Sequence, residues 1–382
     1  MKFARSFPRY PFLIALGMSV SPLGQAGYTF TDLGTLGGST SYANGINNAG
    51  QIVGQSITVQ DLYNPIPYYR ATLWEGTTIT DLGGAGNNVA YDINNTGLVA
   101  GARYYKTYTP AYVWGVGELN RLGVWSEAYD INDSGMAVGY SLNSNSSSPN
   151  TSDGKYHAAL WNGATITDLG TLGSQSMAYG INNAGQVVGY LATPNIASTH
   201  STLWDGNGSS ATDLGNLGGA YSFAYDINEV GQVVGSSTTF GNTATHATLW
   251  QDGSIVDLGT LGGTYSSAQA INDIGQVVGY SDGLGNIGSY RATLWEGTTA
   301  IDLNSYLDAS VIGQGWVLTI ANDINDYGWI VGNATNQLTS QTHGFLLTPV
   351  SPVPEPQTYA MLLSGLGLLV LARREKQQHM HA

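Results

Sequence analysis

Between residues 28 and 349, apolar and polar positions alternate in short runs separated by glycine-rich turns. This two-residue period is that of half-buried β-strands. One phrase organises the pattern. It reads Tyr179-Gly-Ile-Asn-Asn-Ala-Gly-Gln-Val-Val-Gly-Tyr190 and returns at 225–235 and 270–279. Weaker copies place the Ile-Asn pair at Ile46, Ile93, Ile131 and Ile324, seven in all. The Asn-x-x-Gly step predicts a tight hairpin turn, because Asn and Gly both tolerate left-handed backbone.

Each hairpin is followed by a variable stretch, a strand ending in Trp, a glycine turn and a strand ending in Asp-Leu. The Trp recurs at Trp74, Trp114, Trp161, Trp204, Trp250 and Trp295. The Asp recurs at Asp32, Asp81, Asp168, Asp213, Asp257 and Asp302. Each unit therefore offers four strands. Successive Ile-Asn pairs lie 47, 38, 50, 46, 44 and 53 residues apart, the length of a propeller blade. The expected fold is all-β, a seven-bladed β-propeller of four-stranded blades over 28–349. Tyr28-Thr-Phe-Thr-Asp-Leu33 matches a fourth strand with no unit of its own, and the last unit stops after its third strand near Leu347. The opening strand is thus expected to complete the seventh blade and remove two exposed edges. Insertions at 57–68 and 141–155 and the long crossover 304–319 fall on the face opposite the Asn-x-x-Gly turns. Such one-sided variation marks either a binding face or drift in solvent-exposed loops.

Composition narrows the function classes. Among 382 residues there are 12 Lys and Arg against 26 Asp and Glu, a net charge of −14. No basic stripe exists for nucleic acid. The chain has no Cys, so packing between units rather than disulfides must hold the fold.

The ends read as addresses. Lys2, Arg5 and Arg9 precede an apolar run at 11–20 and small residues, with cleavage expected between Ala26 and Gly27. That is the order of a secretory signal peptide over 1–26. A buried helix or membrane anchor is the alternative, although the run is short for a span of about 20 residues. At the other end, over 350–382, a Pro-rich linker leads to Val353-Pro-Glu-Pro356, an apolar stretch at 359–371, then Arg373 and Arg374. A spacer, an apolar helix and a basic stop would halt transfer with the positive end in the cytoplasm. An ordinary tail anchor shares this layout. With Pro354, Glu355 and Pro356 as its motif, the segment resembles the PEP-CTERM sorting signal of Gram-negative bacteria. The resemblance implies recognition by an exosortase-type membrane protease, a transient or permanent membrane anchor, and an exopolysaccharide-producing envelope.

The repeats carry few candidates for chemistry. His157, His200, His246 and His343 recur once per unit, too far apart for ligands that must converge within about 2.0–2.3 Å of one ion. They read as covers for strand ends. Asp130-Ile-Asn132-Asp-Ser-Gly135 looks like the start of a calcium loop, but Val230 and Ile274 occupy a ligand position in sister units and no bidentate Glu follows. The phrase reads better as a turn in which Asn caps backbone groups. The recurring Asp reads as a turn brace and the recurring Trp as packing between blades. Neither a Ser-His-Asp nor a Walker signature is visible, and no cofactor is expected. Aromatics that break the repeat, Tyr104, Tyr105, Trp125 and Trp316, are the candidates for a sugar platform.

The units His157-Ala-Ala-Leu-Trp161 and His246-Ala-Thr-Leu-Trp250, with Asp-Leu-Gly-Thr-Leu-Gly-Gly at Asp32 and Asp257, resemble the HAF repeat family of extracellular repeats. The resemblance spans nearly all of 28–347 and implies an extracellular location and a propeller. Arg70 and Arg291 stand where that family has His. The favoured function is an exported, surface-sorted, non-enzymatic protein that binds an envelope polymer such as exopolysaccharide. A polysaccharide lyase or hydrolase using the variable face, and a purely structural repeat, stand as alternatives.

Overall fold

The computed structural model describes residues 27–350 apart from segments at 59–67, 85, 121–123, 144–154, 171–173, 195–196, 207, 209 and 286–288. The expected signal peptide, the sorting motif and the apolar stretch at 359–371 lie outside the described residues.

The described residues are almost entirely β, with 28 strands, short 3-10 turns at Phe240–Asn242 and Leu303–Tyr306, and an α-helical turn at Ala309–Gly313. Antiparallel pairing groups consecutive strands in fours, here called units 1 to 7, spanning 37–81, 87–118, 126–168, 176–213, 218–259, 262–302 and 316–349. Unit 6 is typical: Gly262–Ile271, Val277–Gly283, Tyr290–Glu296 and Thr299–Asp302. Unit 7 contributes three strands, Trp316–Ile324, Ile330–Asn336 and Thr342–Pro349. Its fourth is Tyr28–Asp32, whose Phe30 opposes Leu347 and whose Asp32 opposes Phe345. Single parallel contacts, such as Thr40 with Thr342, join neighbouring units at their edges.

Three residues of the repeated phrase have separate physical roles. The turn Gly sits at φ between 73° and 85° in every copy, from Gly50 to Gly328, a conformation that costs any residue with a Cβ. The Asn does not share it, contrary to the expectation that both turn residues take left-handed backbone. Instead its side chain holds the turn: Asn47 Oδ1 accepts from the N–H groups of Ala49 and Gln51 at 3.1 and 3.0 Å. The last Gly of Val-Val-Gly permits close approach of two strands. A Cβ on Gly54 would lie 1.9 Å from the Tyr42 carbonyl, and one on Gly279 2.0 Å from the Ser267 carbonyl. Both glycines face the bulge that shifts the first strand's register.

Apolar packing lies between units rather than within them. Val53 and Ala71 of unit 1 meet Ala90, Ile93 and Val99 of unit 2. Val331 of unit 7 packs with Ala43, Ile46 and Trp74 of unit 1. The other five neighbouring pairs share clusters in the same way. Trp74, Trp161, Trp204 and Trp295 are fully buried in these seams, each removing a large aromatic area from water. At the Trp position unit 7 carries Leu347, also fully buried.

Candidate functional site

The Asn of each turn does more than hold its own hairpin. Its Nδ2 donates to the carbonyl of the equivalent Asn in the next unit: 47 to 94, 94 to 132, 132 to 182, 182 to 228, 228 to 272, 272 to 325, and 325 back to 47, at 2.8–3.2 Å. A second cycle runs through the following residue. There the backbone N–H of Asn48, Asn95, Asp133, Asn183, Glu229, Asp273 and Asp326 donates in turn to the side-chain oxygen of the next, at 2.8–3.1 Å. The two cycles line a polar cavity of about 180 Å³. Its rim carries Asp133, Glu229, Asp273 and Asp326, yet no group of three or more metal-ligating side chains converges among the described residues.

Behind the rim lie four partly buried aspartates, one residue before the Ile. Asp323, Asp130 and Asp226 each accept the Ile N–H of the next unit, at Ile46, Ile181 and Ile271, at 2.7 Å. Asp92 accepts that of Ile131 at 3.2 Å. Units 1, 4 and 6 have Gly45, Gly180 and Ala270 at this position. A Cβ on Gly45 would stand 2.9 Å from the Asp92 Cα, so the neighbour across the seam leaves little room there. Burial raises all four pKa values, that of Asp226 to about 6. The Asp92 charge and its hydrogen bond push Asp130 up further. These carboxyls are committed to backbone N–H groups and make no open acid–base pair.

Farther along the first strands, Tyr91, Tyr129, Tyr179 and Tyr225 form an arc with successive ring centroids 5.0, 5.4 and 5.4 Å apart. Glu127 accepts from Tyr91 and Tyr104 at 2.8 and 2.9 Å. Of the four aromatic candidates, Tyr104 therefore belongs to this polar cluster. Trp316 is 7% exposed and packs in the core seam of units 6 and 7, with Phe30 and His343 beside it. Tyr105 stacks on Tyr108 at 4.7 Å, and Trp125 is exposed at 36%. Among the described residues no ring contact joins the four into one platform.

The recurring His and Asp meet across the third and fourth strands. His157, His200 and His246 pair with Asp168, Asp213 and Asp257 at 2.7, 2.7 and 2.9 Å. His343 pairs with Asp32 at 2.9 Å, pinning the opening strand. The same Asp accepts the N–H two residues on, as at Gly34, Gly170 and Gly259. The turn brace expected of the Asp thus has a concrete geometry, whereas the His, expected to cover a strand end, bonds that Asp. In unit 4 Ser198 Oγ stands 3.2 Å from His200 Nε2, giving a Ser–His–Asp chain that sequence spacing did not reveal. Ser198 is also tied to Thr193 through its N–H and its hydroxyl at 3.0 and 3.1 Å, which identifies it as a loop staple.

Arg70 makes the same brace, its Nε donating to Asp81 at 3.0 Å. Arg291 does not. Asp302 Oδ1 instead accepts both the N–H and Nδ2 of Asn304, at 2.9 and 2.7 Å, and caps the 3-10 turn at Leu303–Tyr306. Among the described residues no ion pair or hydrogen bond reaches the Arg291 guanidinium. Arg291 lines a cavity of about 420 Å³ between units 6 and 7, with Tyr290, Thr319, Thr335 and Gln337. Antiparallel pairing places the starts of third strands opposite the Asn-x-x-Gly turns, so this cavity opens on the variable face.

The PEP-CTERM protein-sorting motif model matches residues 352–377. The motif implies processing by exosortase and export to the cell envelope or surface. No helix among the described residues is long and apolar enough to cross a membrane. No curated protein matches the chain. Similar solved structures include the β-propeller domain of the Trilobed protease from Pyrococcus furiosus, with TM-score 0.49 and 12% identity over 69% of this chain and 83% of that one. TolB from Acinetobacter baumannii gives 0.41 and 10%, over 79% of this chain and 64% of its own. The Pyrococcus horikoshii acylaminoacyl peptidase gives 0.44 and 12%, over 80% and 51%. This chain thus spans about half of that peptidase.

Proposed function

We propose that the chain is an exported, surface-sorted, seven-bladed β-propeller built from HAF-like repeats, which binds a saccharide polymer of the envelope through the variable face. The observation that carries this reading is the cavity between units 6 and 7. It combines an aromatic ring, hydroxyl and amide groups and a cation that no carboxylate occupies, the mixture a polyhydroxylated ligand requires. The role is non-enzymatic: the recurring carboxylates brace turns or cap backbone groups. The segment at 1–26 would direct export as a signal peptide, and the motif-bearing segment at 350–382 would direct sorting. Pull-down of the full chain with envelope polysaccharides tests the reading. Retention is expected with at least one polymer and is lost on Tyr290→Ala. Retention of none would leave a purely structural repeat.

A further inference from the structure

Two stretches of this chain are identical over ten residues. Tyr-Arg-Ala-Thr-Leu-Trp-Glu-Gly-Thr-Thr occurs at 69–78 and again at 290–299, and each is followed eleven residues after its Arg by an Asp. In the first copy the guanidinium is held by that Asp. In the second the Asp caps a 3-10 turn, its Oδ1 accepting twice from Asn304, and the guanidinium, with no ion pair or hydrogen bond among the described residues, stands at the wall of a cavity. Cations are scarce in the repeat body, and others have partners: Arg103 lies over the Tyr112 ring at 3.6 Å. An unpaired Arg in an acidic protein is a ready site for an anion. Its planar fork of donors matches a carboxylate, to which it can donate two parallel hydrogen bonds.

The remaining wall restricts the ligand further. Tyr290 is 36% exposed and packed against Tyr265 and Tyr280 at 5.5 and 4.9 Å, so one ring is held in place at the opening. Thr319 donates to the Asn333 carbonyl at 2.8 Å and keeps its oxygen free to accept. Thr335 and Gln337 add groups that both donate and accept. A bare inorganic anion would use the Arg and leave the rest unused.

We propose that this cavity takes a carboxylate-bearing sugar, with Arg291 as the specificity-determining residue for the carboxylate and Tyr290 packing against the ring face. The inference rests on the saccharide-binding reading above and names the class of saccharide. Titration of the full chain with an oligogalacturonate and with its methyl ester tests it, because the two probes share a sugar backbone and differ in charge. The acid is expected to bind at least about tenfold more tightly, as charge-assisted hydrogen bonds to Arg warrant, and to weaken as salt is raised. Arg291→Gln should abolish the preference by weakening the acid far more than the ester, and Arg291→Lys should restore part of it. Arg70→Gln, altering the paired twin, should leave the preference intact. Equal binding of acid and ester by the unaltered chain would overturn the carboxylate assignment but keep the saccharide reading. Binding of neither probe, or a preference that survives Arg291→Gln, would overturn the assignment as well. The comparison in the unaltered chain needs no variant to fold.

Discussion

The two copies of the decapeptide occupy the same strand of units 1 and 6. Trp74 and Trp295 are both buried at 1%, and Leu73 opposes Val53 as Leu294 opposes Val278. Yet Arg70 is paired and Arg291 is not. The difference accompanies a change of residue and conformation just after Asp-Leu, outside the repeat. Gly83 follows the first Asp-Leu and donates its N–H to Asp81 Oδ1, leaving Oδ2 for Arg70. Asn304 follows the second, donates twice to Asp302 and starts a 3-10 turn. In a repeat protein the strands set where a side chain can go, and the connection after the strand decides what it meets there. A ligand site can arise in such an array from one crossover, with the blade itself unchanged.

The largest expected effect tests whether the two copies stand on equivalent scaffolds. Gly54→Ala and Gly279→Ala each place a Cβ within about 2 Å of a backbone carbonyl. Each should cost several kcal/mol, more than about 4, by the measure of overpacked or strained cores. Equal losses in denaturant unfolding would show matched scaffolds. A tolerated substitution in one unit alone would break the comparison at its base.

A second test uses the carboxyl that each copy receives from its neighbour. Ile46 of unit 1 donates to Asp323 and Ile271 of unit 6 to Asp226. Burial raises the Asp226 pKa from its ordinary 3.8 to about 6. The folded state therefore holds this proton longer than the unfolded chain does. Its contribution to stability is fully present below about pH 4 and is lost as pH rises through about 6. The swing is on the order of 3 kcal/mol. Urea titrations at pH 4, 5, 6 and 7 should show a fall that Asp226→Asn reduces. A pH profile unchanged by that substitution would mean that the carboxyl stays ionised in the folded protein.

A smaller effect separates the two arginines directly. Asn304→Gly gives unit 6 the connection that unit 1 has. Arg291 should then pair with Asp302, and affinity for a carboxylated oligosaccharide should drop about tenfold, an effect of about 1.4 kcal/mol. Unchanged affinity would show that Asn304 is not what keeps the Arg free. The smallest expected effect is on stability alone: Arg70→Gln should cost up to about 1 kcal/mol, as a partly exposed ion pair does, and Arg291→Gln nothing measurable. Equal costs would indicate a hidden partner for Arg291.

Much of the fold was legible in the chain because its causes are local. The turn Gly, the alternating strands and the unpaired strand at Tyr28–Asp32 each declare themselves within a few residues. The Asn was legible as a turn residue but not as a clamp, because the carbonyl that Asn325 Nδ2 meets is at Asn47, at the far end of the repeat array. The alternation of Asp with Gly or Ala before the Ile has no explanation within the turn itself. It reflects space across the seam, as the close approach of Gly45 to Asp92 shows. Trp316 broke the sequence pattern and so suggested a surface platform. Its place is explained by the crossover that feeds unit 7, which packs Leu303 and Leu307 into the same cluster. Arg291 stood out only as a replacement for His, and nothing short of the crossover's conformation distinguishes it from Arg70.

The most direct test of the central claim is the hydrogen exchange of arginine side chains in the full chain labelled with 15N-arginine. Arg70 Nε–H should exchange slowly and lose its protection on Asp81→Asn. Arg291 Nε–H should exchange at the rate of a free side chain and become protected when oligogalacturonate is added. An Arg291 already protected in the ligand-free protein, and freed by Asp302→Asn, would contradict the account.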